Sequence, residues 1–410
     1  MHGKLASAAL VVTSLLGAPA FAQTTPSPTS TPSQTPSSQS PATPPAASTV
    51  TLPAPGMSGP LTLNPDPINI DLGPAGKTYI TGVFTGLGLW QDNRLPGDQN
   101  GHVDVSNGQF ILQKTDGLVQ YYVQIGAYSL PALGTQYISA TSGHAMGDFY
   151  GGVPEAFLKI APTSNFSIEA GKLPTLIGAE YTFTFENMNI ERGLLWNQEP
   201  AISRGVQANY TLGPVVFALS FNDGFYSDVF NWVSGSAVWT INSANTLTFA
   251  AGGNLGTTGF TSVATPLPQN NGSIYNIIYT HTAGPWTITP YFQATHVGKN
   301  PTIGIDNSAE TFGGAVLANY AFNSNWSLAG RVEYIASTGS VGNGSPNLLY
   351  GPGSKAMSLT VTPTFQYSRF FARGELSFVK IFDSTAGLAL GTSLTSTNQV
   401  RGLIETGVLF

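Results

Sequence analysis

The chain has 410 residues, of which only 9% are charged, while 41% are hydrophobic and 47 are glycine. A soluble domain normally carries roughly 25% charged residues, so this composition argues against an ordinary water-facing surface and favours contact with lipid. The net charge of -6 argues against a nucleic-acid partner, and the absence of cysteine excludes a disulfide framework, a thiolate metal site and a cysteine nucleophile.

The first 22 residues have the composition of a signal peptide. Lys4 precedes an apolar run from Leu5 to Leu16, and the small-x-small sequence Ala20-Phe21-Ala22 follows it. A membrane-anchoring helix is the alternative, although the run is short for a bilayer. Cleavage before Gln23 would export the mature protein. No later run of about 18 apolar residues occurs, so a membrane location requires a β-barrel.

Residues 23–77 are predicted to form a disordered tail. Its main part, residues 23–60, is rich in Pro, Ser and Thr and contains no Asp, Glu, Lys or Arg. Such a tract cannot bury enough apolar surface to offset the entropy of ordering it. The tail is therefore expected to be a solvated spacer in the periplasm, with cell-wall contact or glycosylation as alternatives.

From Thr78 onward, apolar and polar residues alternate with a period of two, in segments separated by Gly, Asn, Pro or Asp. Sixteen such segments occur, near 78–90, 108–115, 117–128, 151–160, 165–173, 203–211, 214–222, 233–241, 246–254, 272–282, 285–296, 310–321, 325–337, 355–366, 369–380 and 399–410. Seven short connections alternate with eight long ones, as in barrels with short periplasmic turns and long external loops. The predicted fold is an all-β, transmembrane, antiparallel up-and-down β-barrel over residues 78–410.

The alternation also predicts which side chains face lipid. In segment 325–337, Trp326 and Val332 share one side, and Arg331 and Glu333 share the other. The opposite, polar side is mostly Ser, Thr, Asn, Gln and Tyr, which suits a wet lumen. Aromatic residues near strand ends are expected to form interfacial girdles: Trp90, Trp239, Trp286, Trp326, Tyr210 and Tyr320.

The last segment has apolar residues at alternating positions and ends in Phe410. It is expected to close the barrel by pairing with the segment near 78–90, because an open sheet edge cannot be satisfied in lipid. A terminal Phe in this pattern resembles the C-terminal sorting signal of bacterial outer-membrane barrels.

Two stretches carry a family resemblance. They are "FSIEAGKLPTLIGAE", Phe166 to Glu180, and "ISRGVQANYTLGPVVFALSFNDGF", Ile202 to Phe225. They resemble the β-barrel porins of the OmpL-like type, over about residues 78–410. The resemblance implies a bacterial outer-membrane channel of unspecified solute, and it supplies no catalytic residues.

A sixteen-stranded lumen is too wide for wall side chains to fill, so a constriction is expected. Connection 174–202 is the longest between the predicted strands. By analogy with known sixteen-stranded porins, this third external loop is predicted to fold inward and line an eyelet. It carries one basic residue, Arg192, and the acidic residues Glu180, Glu186, Glu191 and Glu199.

Basic residues of the wall would face this loop across the opening and sort solutes by charge. They are Arg331, Arg373, Arg401 and Lys159. In the alternative arrangement the loop packs outside the barrel, and these cations pair with Glu333, Glu375, Glu405 and Glu155.

The function predicted from the sequence is passive diffusion of small hydrophilic solutes or ions. The expected partners are outer-membrane lipid and these solutes, and a homotrimer is one assembly that the sequence allows. No cofactor, metal or nucleic acid is expected. The rival classes are a non-conducting scaffold or adhesin and a barrel-embedded hydrolase. The histidines, His102, His144, His281 and His296, have no Ser or Asp partner at a recognisable spacing. The loop with Asp92, Asp98 and Asp104 does not follow the ligand order of a known Ca²⁺ loop.

Overall fold

A computed structural model describes residue 52 and residues 54–410. The predicted signal peptide and the tail up to residue 51 lie outside the described residues. The described strands are β1 Ile68–Asp71, β2 Lys77–Gln91, β3 Gly101–Lys114, β4 Val119–Tyr128, β5 Glu155–Thr163, β6 Phe166–Pro174, β7 Ile202–Leu212, β8 Val215–Asn222, β9 Trp232–Asn242, β10 Asn245–Asn254, β11 Gly272–Ala283, β12 Trp286–Val297, β13 Ala309–Ala321, β14 Trp326–Ser337, β15 Lys355–Tyr367, β16 Phe370–Asp383 and β17 Asn398–Leu409.

Sixteen of these strands, β2 to β17, form a closed antiparallel barrel. Each pairs with the next along the chain, and β17 pairs with β2 in a register that joins Arg401 to Gln91 and Leu409 to Val83. The predicted fold, strand number and closing pair are confirmed.

Helices in the described chain are short. One α-helical turn, α1, spans Leu267–Asn270, and a π-helical segment spans Ala145–Tyr150. The 3-10 turns are Gly73–Ala75, Thr184–Glu186, Trp196–Gln198, Pro301–Ile303 and Val341–Asn343. Within the described residues, none of these helices has the length and hydropathy needed to cross a membrane.

Short and long connections alternate around the barrel. The short ones are 115–118, 164–165, 213–214, 243–244, 284–285, 322–325 and 368–369. The long ones are 92–100, 129–154, 175–201, 223–231, 255–271, 298–308, 338–354 and 384–397. All short connections meet at one end of the barrel, the short-turn end, and all long ones meet at the other, the long-loop end.

Side-chain exposure follows the predicted alternation. On β14, Trp326 is 50% exposed and Val332 is also exposed, whereas Arg331 is 1% exposed and Glu333 is buried. The same alternation continues on β15, where Leu359 faces out and Thr360 faces in. The most exposed apolar side chains of these strands therefore form the outer surface, and the charged and hydroxyl side chains face the lumen.

One predicted boundary is wrong: β3 begins at Gly101, where the sequence predicted a loop as far as residue 107. The register between β2 and β3 shifts at Thr85/Gly86, because Ser106 is an extra residue in β3. A bulge of this kind interrupts the two-residue alternation on which the prediction relied. The first long connection is shorter than predicted as a result.

Barrel closure at the short-turn end depends on Phe410. Its backbone and that of Gly82 exchange hydrogen bonds of 2.9 and 3.0 Å. The Phe410 ring stacks on Phe84 at a centroid distance of 5.7 Å and meets Phe110 edge-on at 5.9 Å. A Cβ atom added at Gly82 would overlap this ring, so glycine makes room for the terminal aromatic side chain.

The prediction of disorder through residue 77 is wrong for the part nearest the barrel. Strand β1 pairs with the start of β2, joining Ile68 to Ile80 and Asp71 to Lys77. The reason is that β2 extends beyond the last residue of β17, which leaves its edge without a barrel partner. Strand β1 satisfies the free hydrogen-bonding groups of that edge.

Candidate functional site

The third long connection, residues 175–201, lies against the inside of the barrel wall. The Arg331 side chain, on the lumen face of β14, donates to Glu180 Oε1 at 2.5 Å and to the Glu191 carbonyl at 2.7 Å. Arg331 Nε also lies 3.3 Å from Glu333 Oε2. All three side chains that form these ion pairs are buried.

A second pair joins the third connection to β17. Arg401 Nη1 donates to Glu191 Oε1 at 2.7 Å, and the other carboxylate oxygen of Glu191 accepts from Ser377 Oγ at 2.9 Å. Arg401 also donates to the carbonyls of Ala132 and Thr135 in the second long connection. Arg401 thus ties two long connections to one strand.

Wall carboxylates hold the backbone of the third connection. Glu375 accepts from the N–H of Ile190 at 2.5 Å and of Glu191 at 3.0 Å. Glu333 accepts from the N–H of Leu194 at 2.9 Å. A buried carboxylate that receives backbone N–H groups makes strong, charge-assisted hydrogen bonds.

Arg373 completes this network. It forms an ion pair with Glu405 on the neighbouring strand and donates to the carbonyls of Thr184 at 2.8 Å and Asn187 at 3.0 Å. Glu405 in turn accepts from Thr184 Oγ1 at 2.5 Å. Both ends of the Arg373–Glu405 pair therefore hold the third connection.

Apolar side chains of the third connection pack on the wall as well. Leu194 and Leu195 join a buried cluster with Ile335 and other lumen-facing residues of β11 to β16. Phe183 and Phe185 join a second cluster that includes Phe371. Apolar burial and ion pairs thus act together on this segment.

These contacts correct the charge arrangement expected from the sequence. The acidic residues of the third connection were expected across an opening from Arg331 and Arg401 of the wall, but two of them, Glu180 and Glu191, are in direct, buried contact with these arginines. Two of the wall carboxylates considered as partners of these cations are paired with them, Glu333 with Arg331 on the same strand and Glu405 with Arg373 across strands.

Lys159 lies apart from the network. Its ammonium is 3.1 Å from Glu169 Oε1 on the adjacent strand β6, and its side chain is 33% exposed. It does not pair with Glu155, because Lys159 and Glu169 are direct partners in the β5–β6 register.

Glu186 and Arg192 complete the set of predicted site residues. Glu186 Oε2 accepts from the Phe183 N–H at 2.8 Å, and burial, with Glu155 nearby, raises the pKa of Glu186. The Arg192 guanidinium lies over the Trp196 ring at 5.3 Å, and none of its nitrogens has a hydrogen-bond partner among residues that the structure describes. Burial lowers the pKa of Arg192 to about 10.

The lumen is less filled along β9 to β12. A cavity of about 560 Å³, the turn-end cavity, opens there toward the short-turn end. Its wall is rich in threonine: Thr248, Thr280, Thr282, Thr287 and Thr289. Hydroxyl groups on a lumen wall are suited to contact with water and polar solutes.

A second cavity of about 470 Å³, the loop-end cavity, lies among the long connections. It has aromatic walls, with Phe149, Tyr150, Trp196 and Phe225. Glu199 is its one charged lining residue within the described chain, and it is 5% exposed.

Glu199 and Gly178 lie between the two cavities. Glu199 lines the loop-end cavity, and Gly178 lines the turn-end cavity. A Cβ atom added at Gly178 would overlap the Glu199 carboxylate, so the two residues are in close contact. The third connection thus separates the cavities at this pair.

Residues 54–62 enter the lumen from the short-turn end. The N–H groups of Ser58 and Gly59 donate to the Glu186 carbonyl at 2.8 and 3.2 Å, and Gln113 donates to the Ala54 carbonyl at 2.6 Å. Leu61 is buried in the same apolar cluster as Phe183. The segment also lines the turn-end cavity.

The histidines are spread over separate places. Three bind carboxylates: His102 with Asp98 at 2.8 Å, His144 with Asp148 at 2.9 Å and His296 with Glu310 at 3.2 Å. The fourth, His281, contacts Asn245 Oδ1 at 2.8 Å. No serine hydroxyl joins a histidine in the described part of the chain, so the triad geometry of a serine hydrolase is not formed there.

Asp98 and Asp104, considered as Ca²⁺ ligands, are occupied by protein donors. Asp98 accepts from Gln91 and from the Tyr137 N–H, and Asp104 accepts from the Tyr137 hydroxyl and the Ala140 N–H. Over residue 52 and residues 54–410, no group of three or more candidate side chains is arranged to hold a metal.

Several residues of this site were missed from the sequence. Glu375 and Glu405 were considered only as partners of wall cations, and Gly178 was not considered. The signal that could have indicated the entry of residues 54–62 into the lumen is "APGMSGPL", where Met57 and Leu61 interrupt a mostly polar, proline-rich tract.

Comparison with known proteins agrees with this architecture. Residues 77–410 match the family described as "Putative beta-barrel porin-2, OmpL-like". The chain belongs to this family of outer-membrane porins. The resemblance noted in the sequence is thereby confirmed, and a comparison with curated proteins finds no match.

Several solved porin-type barrels share the fold. The outer membrane channel DcaP of Acinetobacter baumannii matches with a TM-score of 0.56 at 10% identity, over 82% of this chain and 99% of DcaP. OmpT of Vibrio cholerae in its trimer form matches with 0.53 at 11% identity, over 81% and 99%. Salmonella typhi OmpF in complex with daunomycin matches with 0.53 at 12% identity, over 84% and 100%. At these identities the likeness concerns the fold alone.

Proposed function

We propose that this OmpL-like porin allows passive diffusion of small hydrophilic solutes or ions through a water-filled barrel, and that the third connection sets the width of the passage. The observation that carries the proposal is the attachment of that connection to Arg331, Arg373 and Arg401 on the lumen wall. A segment held by several buried charged contacts has little freedom to leave the lumen.

The proposed route lies on the side of the barrel away from these arginines. It passes from the loop-end cavity, past Glu199 and Gly178, into the turn-end cavity and along the threonine-rich wall. Lys159 and Glu169 lie on the part of the wall formed by β5 and β6, where they are partly exposed to the lumen. The predicted charge sorting is therefore assigned to Glu199 and not to the arginine-bound glutamates.

Export and assembly belong to the same proposal. A signal peptide over residues 1–22 would deliver the chain to the outer membrane, with the tail and the short-turn end in the periplasm. A homotrimer is proposed because one of the matched barrels is described in a trimer form. N-terminal sequencing of the exported protein and native mass spectrometry of the purified barrel test these two points.

Conductance of the refolded barrel in planar bilayers tests the main proposal. Deletion of residues 182–195 should raise the single-channel conductance, because it removes the part of the third connection that is bound by Arg373 and Arg401. Deletion of residues 301–304 is a matched control, since it shortens an exposed turn whose flanking residues Asn300 and Ile305 already pair. A folded deletion variant with the wild-type conductance would contradict the proposal.

A further inference from the structure

The loop-end cavity combines a charged group and an apolar enclosure in a way that ordinary packing does not require. At about 470 Å³ it falls in the usual size range of small-molecule sites, roughly 300–1,000 Å³. Its walls come from five long connections and are mostly apolar or aromatic, with Leu130, Phe149, Trp196, Phe225 and Val263 among them. Such sites typically place a few polar groups among apolar walls.

Glu199 is the polar group that stands out. It is buried, and neither of its carboxylate oxygens has a hydrogen-bond partner among residues 54–410 or residue 52. An unpartnered buried carboxylate is costly, so a group of this kind normally has a partner. Of the other buried glutamates of the third connection, Glu180 and Glu191 are paired with Arg331 and Arg401, and Glu186 accepts from the Phe183 N–H.

The charges around Glu199 do not compensate it. The charged groups that act on Glu199 are Glu180 and Glu333, which are themselves carboxylates. Arg401 donates to carbonyls of residues that line the cavity, but it is already paired with Glu191. Arg192 lies over the Trp196 ring, and the carboxylates that act on its charge include Glu180, Glu191 and Glu186. The Glu199 carboxyl group is thus left without a compensating charge, and a cation that entered the cavity would stabilise its ionised form.

We propose that the loop-end cavity is a binding site for organic cations, in which Glu199 holds the ammonium group and the aromatic walls hold an apolar body. An ammonium group satisfies the carboxylate through a charge-assisted hydrogen bond. Phe149, Tyr150, Trp196 and Phe225 supply ring faces and edges for the remainder of the molecule, and a ring face attracts a cation as well.

The site would place such a cation at the entrance to the proposed passage. The Glu199 carboxylate abuts Gly178, which lines the turn-end cavity, so a bound ammonium group would lie next to the boundary between the two cavities. As a statement about a permeating solute, the inference rests on the proposed porin function. As a binding site, it is measurable without conduction.

Isothermal titration calorimetry of the folded barrel in detergent tests the site. The probe is 2-phenylethylammonium, and its comparison ligands are 2-phenylethanol, which is neutral and similar in size, and phenylacetate, which is an anion. We expect one molecule of the cation to bind per barrel and the other two to bind much more weakly. Equal binding of the neutral ligand, or preference for the anion, would overturn the proposal.

Two variants test whether the cation binds in the loop-end cavity. Glu199→Gln keeps the shape of the side chain and should weaken cation binding roughly 10- to 100-fold, as expected for loss of a charge-assisted hydrogen bond. Glu169→Gln removes another lumen carboxylate, one that is paired with Lys159 outside the cavity, and should leave the affinity unchanged. Equal losses in both variants would indicate a general charge effect and overturn the assignment to Glu199.

A cavity-filling variant keeps the test decisive if Glu199→Gln fails to fold. Ala264 lines the same cavity, and Ala264→Phe should reduce binding by occupying its volume. Unchanged binding in folded Ala264→Phe would place the cation elsewhere. If the barrel binds the cation but does not conduct, the porin function fails and the site stands. If it conducts and does not bind, the site alone fails.

Discussion

Arg331 on the wall of the barrel and Glu180 in the third connection form a buried ion pair with a nitrogen–oxygen distance of 2.5 Å. The pair joins β14 to a segment that is distant from it in sequence. It is one of several such contacts, and together they explain how a long connection between β6 and β7 can be held inside the lumen.

Replacement of Arg331 by Met should destabilise the barrel strongly. It leaves Glu180 and Glu333 buried without their cation, which typically costs about 3–5 kcal/mol. The double variant Arg331→Met with Glu180→Met should be less destabilised than Arg331→Met alone, because one of the uncompensated charges is removed with its partner. Urea unfolding, monitored through the change in gel mobility, measures the difference in stability between the single and the double variant. A double variant that is less stable than the single one would contradict this explanation.

Gly82 is predicted to tolerate no side chain while Phe410 is present. Gly82→Ala should reduce stability by about 1–3 kcal/mol, as overpacking does, because the new Cβ overlaps the Phe410 ring. Gly88→Ala is the matched control, since it lies on the same strand and its Cβ would meet open space. Phe410→Ala should relieve the effect of Gly82→Ala. Independent, additive losses in the two substitutions would count against this contact.

The stability of the barrel should depend on pH through Glu199. Burial, with the carboxylates of Glu180 and Glu333 nearby, raises the pKa of Glu199 well above the ordinary value of 4.5. The ordinary value applies to Glu199 in the unfolded chain, and the raised value applies in the folded chain. At a pH between the two, the folded chain binds more protons than the unfolded chain. The contribution of Glu199 to stability is therefore greatest at low pH and is lost as the pH rises toward the folded-state pKa.

Unfolding midpoints measured in urea from pH 4.5 upward should show this loss in the wild type. Glu199→Gln cannot ionise, so its midpoint should fall less over the same range. Glu169→Gln serves as the control because Glu169 is paired with Lys159. Parallel curves for the wild type and Glu199→Gln would show that Glu199 does not titrate in this way.

The segment 54–62 is predicted to restrict access to the turn-end cavity. Since the chain has no cysteine, a single Thr280→Cys substitution gives a clean site for thiol labelling in that cavity. Deletion of residues 54–62 should speed its labelling by a charged, water-soluble reagent. Asn209→Cys, on the lumen side of β7 and outside the cavity, should be labelled at the same rate with and without the segment. Equal rates at Thr280→Cys would mean that the segment does not cover the cavity.

The strand architecture was predictable because it depends on local pattern. Alternation with a period of two identified the sixteen barrel strands, and the opposite parity of Arg401 and Ile404 assigns them to the lumen face and the outer face without knowledge of any neighbour. The start of β3 was missed because the bulge at Ser106 breaks that period. The strand β1 was missed because its partner edge on β2 exists only after the barrel has closed.

The site was predictable only in part, because its pairings depend on three-dimensional register. The sequence identified Glu180, Glu191 and the three wall arginines, but it could not show that Arg373 meets Glu405 across β16 and β17 while Arg401 reaches Glu191. It also could not separate Glu199 from the other glutamates. That difference arises from burial without a partner, which no local pattern encodes.

The most direct test of the proposed passage is the single-channel conductance of the refolded mature barrel in planar bilayers, measured with and without residues 182–195. If the third connection sets the width of a water-filled passage, the wild type will show stepwise openings and the deletion variant will show larger ones, while both barrels remain folded. A folded wild type without openings, or equal conductance in the two barrels, would contradict that role of the third connection.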